Sequence, residues 1–312
     1  MDRCAAASLA PALEETRQAP LSCGRMWRRS AGWGIRMKLG LVMMVRPLPG
    51  DDGSAVIERI MTFGQRAEAL GFSGLWVPDS LGRGRATADP LLQLAALCGV
   101  TKTIQLGTCV LQVPLRHPVE LAHRVQTLNL LARGRFQFGV GSGSTRADFE
   151  AVEADYDVRF KTLTHSLEIM RRTWNGEAVY GPGLTNWPGT EGGPPMILGA
   201  WRSPRWINLA AKDLQGWMAS GIFSEMSDVE EGVRMYRTAG GSRIVLANIF
   251  TDLRPSPIFA DRLGHVKIHL ICAPAEARER LKRLEQLGVD DALLVCPFED
   301  PDQLEMIRGL RA

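Results

Sequence analysis

The stretch that decides the fold is Phe136-Gln137-Phe138-Gly139-Val140-Gly141-Ser142-Gly143-Ser144, which lies between two segments of helical period. Its first five residues are mostly apolar, and such a run is typical of a strand that is buried on both faces. A glycine-rich turn follows directly. A buried strand that ends in a turn of small residues before a helix indicates a parallel α/β fold.

The same unit recurs from Met37 to the end of the chain. Nine apolar runs predict strands at Leu39–Val45, Gly74–Val77, Ile104–Val110, Phe136–Val140, Met196–Leu198, Gly216–Ser220, Arg243–Phe250, Lys267–Cys272 and Ala292–Cys296. Helical periods predict helices at Ser54–Leu70, Leu91–Val100, Pro118–Leu131, Arg159–Trp174, Arg205–Lys212, Ser227–Tyr236, Pro274–Leu287 and Pro301–Leu310. Residues 37–312 are close to the roughly 250 residues of an eightfold barrel, so the sequence predicts a single-domain (β/α)8 TIM barrel.

A doubly wound open sheet is the alternative α/β architecture. Such sheets usually carry a GxGxxG fingerprint directly after the first strand. Here the first predicted strand is followed by Arg46-Pro47-Leu48-Pro49-Gly50, which lacks that fingerprint. The barrel is therefore the favoured fold.

The formal net charge of +3 lies in residues 1–36, which hold six arginines and three acidic residues. The rest of the chain is neutral, and it shows neither the basic excess of a nucleic-acid-binding protein nor an apolar run long enough to span a membrane. Residues 1–36 have no sustained strand or helix period, so we expect a disordered or mis-assigned N-terminal extension, with Met37 as the true first residue. A cleaved export signal is the weaker alternative, because Glu14 and Glu15 directly follow its apolar run.

The six cysteines and five histidines lack the spacing of a metal site. Four cysteines lie in apolar runs, where this residue is usually a small buried hydrophobe. We therefore expect no metal, reduced thiols rather than disulfides, and a cytoplasmic protein. HExxH and GxSxG motifs are also absent from the sequence. A chain with anion-binding turns but no catalytic set of its own favours chemistry supplied by a cofactor.

Two turns of small residues follow predicted strands. Gly141–Ser144 can bring backbone N–H groups close to an anion, although a tight turn without a ligand explains the glycines equally well. The turn at Gly199-Ala200 leads to Ser203-Pro204, where Ser203 is either the N-cap of the next helix or a partner of a phosphate.

Asp79 and Ser80 follow the predicted strand Gly74–Val77, and the C-terminal ends of barrel strands form the catalytic face. Asp79 and Ser80 are therefore the candidate catalytic residues, and the Asp79 carboxylate is a candidate acid or base. Its alternative role is an ion pair with Arg83 or Arg85.

Six groups of motifs follow one another along the chain. They are Gly71–Asp79; Ile104–Val110 with Pro114–Val119; Leu131–Gly143; Arg159 with Glu168 and Trp174; Leu198-Gly199 with Ala210–Lys212 and Gly216-Trp217; and Gly288–Asp290. In order and spacing these motifs resemble the bacterial-luciferase-like family of monooxygenases and oxidoreductases. The resemblance covers residues 37–312 and implies a luciferase-like barrel that binds FMN or the deazaflavin F420 at its C-terminal face.

The resemblance also implies cofactor-binding residues. The phosphate would be held after the fourth and fifth strands, with Arg159 as an ionic partner, and a non-prolyl cis peptide between Cys109 and Val110 would lie against the flavin ring. The implied phosphate-binding residues are Gly141, Ser142, Gly143, Ser144, Gly199, Ala200 and Ser203.

The chain departs from the family pattern at three places. Many relatives carry a histidine after the second strand, where this chain has Ser80. The turn after the fifth strand reads Gly-Ala in place of Gly-Gly. The segment Thr251–Val266, between the predicted seventh and eighth strands, is short, so we expect a small substrate cover.

The leading functional expectation is a monooxygenase that uses O₂ and reduced FMN, supplied by a separate reductase, to oxidise a small organic substrate. The alternatives are an F420-dependent oxidoreductase that transfers hydride and a non-catalytic flavin-binding barrel. The resemblance also implies a homodimer. Candidate apolar walls of the pocket are Met43, Met44, Trp201 and Trp217, although core packing is the default role for each of them. Candidate polar contacts are Asp79, Ser80 and Asn248.

Overall fold

The computed structural model describes residues 36–45, 50–81, 83–84, 86–297 and 300–311, so the predicted extension lies outside the described residues except for Arg36. The strands in these ranges are β1 Lys38–Val42, β2 Gly74–Val77, β3 Gln105–Thr108, β4 Leu111–Gln112, β5 Phe136–Gly141, β6 Met196–Gly199, β7 Gly216–Ser220, β8 Ile244–Asp252, β9 His269–Ile271 and β10 Asp291–Val295. The α-helices are α1 Gly53–Ala69, α2 Pro90–Val100, α3 Pro118–Ala132, α4 Arg146–Glu150, α5 Arg159–Trp174, α6 Pro204–Asp213, α7 Met226–Thr238, α8 Pro274–Leu287 and α9 Pro301–Gly309.

Eight parallel strands close into a barrel. Their order is β1, β2, β3, β5, β6, β7, β8 and β10, and β10 pairs with both β8 and β1. The two-residue strand β4 follows β3 along the chain and also pairs with β5. Since helices separate the strands, the predicted (β/α)8 barrel is confirmed.

One predicted barrel strand was wrong. β9, within the predicted strand Lys267–Cys272, pairs only with the end of β8, and β10 is the eighth barrel strand. The reason is that β8 runs on to Asp252 and offers its last three residues to β9. The connection between the seventh and eighth barrel strands is therefore residues 253–290, which is longer than the predicted Thr251–Val266 loop. The five-residue helix α4 was also missed, because it is too short to show a period.

Trp76 on β2 fills part of the barrel interior. A Cβ atom added to Gly40, Gly74 or Gly107 would lie 3.1, 2.7 or 2.5 Å from its indole ring. Each of the three neighbouring strands β1, β2 and β3 thus has a glycine where the indole lies, which leaves room for the ring. The interior is closed by packing at this level, as expected for a barrel of eight strands.

A polar cluster lies at the N-terminal end of the barrel. Arg243, just before β8, donates to both carboxylate oxygens of Asp291 at 2.8 and 3.1 Å and to Gln137 Oε1 at 2.5 Å. Asp291 is buried. Because these bonds join β5, β8 and β10 at their starts, they stabilise the end of the barrel opposite the catalytic face.

Glu68, near the end of α1, joins this helix to the start of β3. Its carboxylate accepts backbone N–H bonds from Lys102, Thr103 and Ile104 at 2.6–3.1 Å. Burial raises the pKa of Glu68, but these bonds and the Thr103 hydroxyl outweigh it and lower the pKa to about 2. The ionised form is therefore favoured in the folded protein.

This shift predicts a loss of stability in acid. In the unfolded chain Glu68 binds its proton near its ordinary pKa of 4.5, so its contribution to stability is present above that pH and is lost as the pH falls towards 2. We expect Glu68→Gln to lower the free energy of unfolding by about 1–2 kcal/mol at pH 7 and by less at pH 3. Urea unfolding at both pH values measures this, with Glu58→Gln on the exposed side of α1 as the control. The same loss at both pH values would contradict the assignment.

Candidate active site

Three of the predicted cofactor-binding segments meet at Val110. A Cβ on Gly141 would lie 2.5 Å from Val110 Cγ2, and a Cβ on Gly199 would lie 2.8 Å from Val110 Cγ1. The Val110 side chain thus lies between the ends of β5 and β6, and both strands need glycine there. The Cys109–Val110 peptide bond is cis, as the resemblance implies. The sequence had not predicted this packing role for the two glycines.

The turn after β5 has open backbone donors. Gly143 has a φ of 79°, and a Cβ there would lie 2.7 Å from Gln112 Oε1, so this position requires glycine. Within the described part of the chain, the N–H groups of Gly143, Ser144 and Thr145 donate to no protein acceptor. Three consecutive open amides are the kind of donors that bind an anion.

The turn after β6 is only partly open. Ala200 is buried; its N–H donates to the Met218 carbonyl at 3.0 Å, and its carbonyl accepts from Trp217 Nε1 at 2.8 Å. Both peptide groups of Ala200 are therefore used within the protein. Ser203 holds the N-cap position of α6, but its side chain makes no capping hydrogen bond, so that hydroxyl is free to bind a ligand.

Arg159 begins α5 beside the turn after β5. Its guanidinium lies over the Tyr156 ring, 3.8 Å from the centroid, and its Nη1 donates to the Tyr156 carbonyl at 2.9 Å. The Tyr156 hydroxyl donates to the Ser144 carbonyl at 3.2 Å, which links Arg159 to that turn. Arg159 Nε is buried without an acceptor, and no described carboxylate pairs with this side chain. A half-buried cation next to open amides forms an anion site.

Asp79 forms an ion pair, but not with either arginine considered from the sequence. Its carboxylate accepts from Arg116 Nη1 at 2.6 Å, from Arg116 Nη2 at 3.2 Å and from the Gln112 N–H at 2.9 Å. Arg83 instead pairs with the buried Asp148 at 2.6 Å, and Arg85 lies outside the described residues. The predicted ion pair thus exists but has a different partner, because the fold places Arg116, which follows β4 and a short 3-10 turn, beside the end of β2.

Gln112 joins these two ion pairs. Its Nε2 donates to Asp148 Oδ2 at 2.8 Å and to the Asp79 carbonyl at 3.2 Å. Burial raises the pKa of Asp148, but its bonds with Arg83 and Gln112 outweigh burial and lower it. Burial likewise lowers the pKa of Arg116, whereas Asp79 raises it above its ordinary value. The geometry therefore favours a positioning role for Asp79, whose hydrogen bonds hold the segments after β2 and β3 together.

This role predicts a large stability effect for Asp79→Asn. The Asp79 side chain is 3% exposed, and removing its charge leaves Arg116 without its bidentate partner. We expect the free energy of unfolding to fall by about 2–4 kcal/mol. Asp157→Asn is the matched control, because Asp157 pairs with Arg146 in solvent and should cost less than about 1 kcal/mol. Equal effects of the two variants in denaturant unfolding would refute the positioning role.

The predicted apolar walls divide into two pairs. Met44 packs over the barrel interior and Trp201 is exposed after β6, both at the C-terminal face. Met43 and Trp217 show the alternative, core packing, because alternation along β1 and β7 turns them outwards into the layer between strands and helices, although Met43 also borders the small cavity beside Ser80. A Cβ on Gly232 of α7 would lie 2.2 Å from the Trp217 ring. Val42 points into the barrel, so alternation along β1 predicts that Met43 points outwards and Met44 inwards.

Ser80 borders a small cavity at the ends of β1 and β2. The cavity has a volume of about 40 Å³ and is also lined by Met44 and Thr87.

Among the described residues there is no cluster of metal-binding side chains, and none of the helices described is long and apolar enough to cross a membrane. The site therefore consists of an anion-binding half, around Arg159, and a largely apolar half.

Comparison with known proteins identifies the family. The model of the luciferase-like monooxygenase family matches residues 37–244, so the chain belongs to this family. Over 137 residues it is 28% identical to the alkanal monooxygenase alpha chain of the Kryptophanaron alfredi symbiont. This alignment covers 44% of this chain and 38% of that protein. Over 176 residues it is 29% identical to 4-hydroxyprotoasukamycin monooxygenase of Streptomyces nodosus subsp. asukaensis. This alignment covers 52% of this chain and 47% of that protein. The matches thus span less than half of these two relatives.

Solved structures share the fold. The monooxygenase RslO1 of Streptomyces bottropensis superposes with a TM-score of 0.75 at 19% identity, over 88% of this chain and 98% of that one. The oxygenating constituent of 3,6-diketocamphane monooxygenase of Pseudomonas putida, in complex with FMN, has a TM-score of 0.71 at 17% identity. The match covers 89% of this chain and 98% of that one. The coenzyme F420 dependent tetrahydromethanopterin reductase of Methanopyrus kandleri gives 0.63 at 18% identity, over 88% and 96%. Neighbours with either cofactor therefore have this barrel.

Proposed function

We propose that this chain is a flavin-dependent monooxygenase that uses reduced FMN and O₂ to oxidise a small organic substrate. The observation that carries the proposal is the half-buried Arg159 beside the open amides of Gly143, Ser144 and Thr145. This site lies at the C-terminal face, where barrel enzymes carry their chemistry. Family membership supports oxygenation, and an FMN complex among the fold neighbours supports the choice of flavin.

The F420-dependent hydride transfer remains the second candidate, because a fold neighbour uses that cofactor. Both cofactors carry a phosphate, but that of FMN is a terminal monoester with up to two charges. A guanidinium together with several backbone N–H donors matches a terminal phosphate better than a linking diester. The donor set of this chain therefore favours FMN.

Different residues of the chain would bind the phosphate, exclude water and position the surrounding segments. Arg159, the three open amides and the Ser203 hydroxyl would hold the phosphate. Val110 and Met44 would keep water from the reaction centre, and the Asp79–Arg116 pair would fix the segments after β2 and β3. When bound, reduced FMN supplies the electrons that activate O₂ for transfer of one oxygen atom to the substrate.

The test is an assay of O₂ incorporation. The protein is mixed with FMN, NADH, a separate flavin reductase and a panel of small organic compounds under ¹⁸O₂. We expect one compound class to gain one labelled oxygen atom, only when the protein and the reductase are both present. Products formed without label, or identical product in the absence of O₂, would overturn the proposal. A protein that binds FMN and oxidises no compound would support the non-catalytic barrel.

The same proposal includes partners and location. We propose a homodimer that receives reduced FMN from a separate reductase in the cytoplasm, where the four described cysteines would stay reduced; all four are free thiols in the fold. Sedimentation equilibrium should give twice the chain mass of 34.3 kDa. A mass equal to one chain at micromolar concentration would contradict the dimer.

A further inference from the structure

A bulge in β8 displaces one side chain at the mouth of the barrel. Ala292 on β10 lies opposite Leu246, whereas Leu294 lies opposite Ile249, so β8 has one more residue than β10 in this interval. Asn248 lies in the interval with a φ of 59°. Asparagine is one of the few residues that adopt this left-handed conformation readily, and bulges of this kind redirect side chains beside active sites.

The Asn248 amide has hydrogen-bonding capacity to spare. In the described structure its one hydrogen bond runs from Nδ2 to Ser220 Oγ, at a long 3.4 Å. The side-chain carbonyl has no protein partner there, and the residue is only partly buried. Asn248 can therefore donate to, or accept from, a bound molecule.

The surroundings of Asn248 are apolar. Four partly buried side chains pack over the barrel interior: Met44, Val110 and Ile222, which follow the ends of β1, β3 and β7, and Phe259, which lies in the connection after β8. Beyond them, Trp201 and Phe223 stack with ring centroids 4.2 Å apart and are 43% and 47% exposed. We call these six residues the apolar cup. An exposed stacked pair at the rim offers a flat surface for an apolar molecule.

The six residues of the cup carry no charge. Of the arginines described near the ends of the strands, four pair with carboxylates: Arg83 with Asp148, Arg116 with Asp79, Arg202 with Asp228 and Arg254 with Asp252. Arg159 and Arg205 lie over aromatic rings outside the cup. An ionic substrate would find no free counter-charge in the cup and would lose its hydration on entry. An uncharged molecule pays no such penalty.

We infer that the apolar cup takes an uncharged, mainly apolar substrate that carries a carbonyl or hydroxyl group, and that Asn248 binds and orients this group. The inference rests on the proposed function, because it concerns the substrate of that same site. It assigns Asn248 as a residue that determines specificity, held in place by the β8 bulge.

The decisive variant is Asn248→Gly. Glycine keeps the left-handed backbone without strain and removes the amide. Arg133→Gly is the matched control, because Arg133 is also left-handed, with a φ of 51°, but ends α3 at the other end of the barrel. Both variants should retain the wild-type melting temperature within a few degrees and the wild-type affinity for FMN.

Binding is measured by thermal shift and calorimetry on the FMN-loaded protein, with matched sets of cyclic hydrocarbons, the corresponding ketones and alcohols, and the corresponding carboxylates. We expect ketones and alcohols to bind best at millimolar concentration and to bind Asn248→Gly roughly tenfold more weakly, with Arg133→Gly unchanged. Preferred binding of carboxylates, no binding of any ketone or alcohol, or equal affinities for wild type and Asn248→Gly would overturn the inference. If FMN itself fails to bind, the same series on the protein alone separates failure of the proposed function from failure of the inference.

Discussion

Gly139→Ala is expected to destabilise the barrel by at least about 3 kcal/mol, and so to abolish accumulation of folded protein. A Cβ at Gly139 would lie 1.8 Å from the carbonyl oxygen of Thr108. The Thr108 hydroxyl also donates to the Gly139 carbonyl at 2.6 Å, which holds β3 and β5 together at this point. Because the obstacle is backbone on the neighbouring strand, no side-chain rotation relieves the clash.

Gly99→Ala is the matched control for this variant. Gly99 lies in α2, and a Cβ there would meet nothing within 4 Å. Alanine should therefore leave stability unchanged or raise it by about 0.5–1 kcal/mol through its higher helix propensity. Soluble yield and urea unfolding of the two variants measure the contrast. Folded Gly139→Ala with wild-type stability would show that the close contact of β3 and β5 is wrong.

Arg159→Ala is expected to weaken binding of FMN by about 10- to 100-fold. Its guanidinium is the half-buried cation beside the open amides after β5, and its Nε has no acceptor in the protein. Riboflavin lacks the phosphate, so its affinity should stay within about twofold of wild type. Fluorescence titration of both flavins against wild type and variant separates loss of a phosphate contact from general damage to the site.

Arg146→Ala is the control for this experiment. Arg146 lies over the same Tyr156 ring, at 4.6 Å, but it already pairs with Asp157 at 2.9 Å. Its removal should change the affinity for FMN by less than about threefold. If Arg146→Ala and Arg159→Ala weaken both flavins equally, the phosphate site is not at Arg159.

The sequence predicted the barrel because its signal is local. Each strand is an apolar run, and the bounds of β2, β7, α5 and α8 agree with the prediction to the residue. The eighth barrel strand was misplaced because the choice between β9 and β10 depends on which strand meets β1, and this pairing joins residues more than 240 positions apart. Apolar periodicity carries no information about such pairing.

The candidate site was predictable in outline and not in its contacts. The resemblance placed Val110, the turn after β5 and Arg159 at one face, and the structure brings them together. The partner of Asp79 could not be read from the chain, because Arg83 and Arg85 are closer in sequence than Arg116 and only the fold brings Arg116 within 2.6 Å. The β8 bulge is likewise a property of two strands, so the left-handed backbone of Asn248 had no local signal beyond the tolerance of asparagine for it.

The proposed function depends on which cofactor this barrel binds. The most direct measurement is the dissociation constant of reduced FMN, determined without oxygen, beside that of F420 under the same conditions. We expect FMN to bind in the micromolar range or tighter and F420 to bind at least tenfold more weakly, since the open amides and Arg159 match a terminal phosphate. Tight binding of F420 with negligible binding of FMN would contradict the proposed monooxygenase.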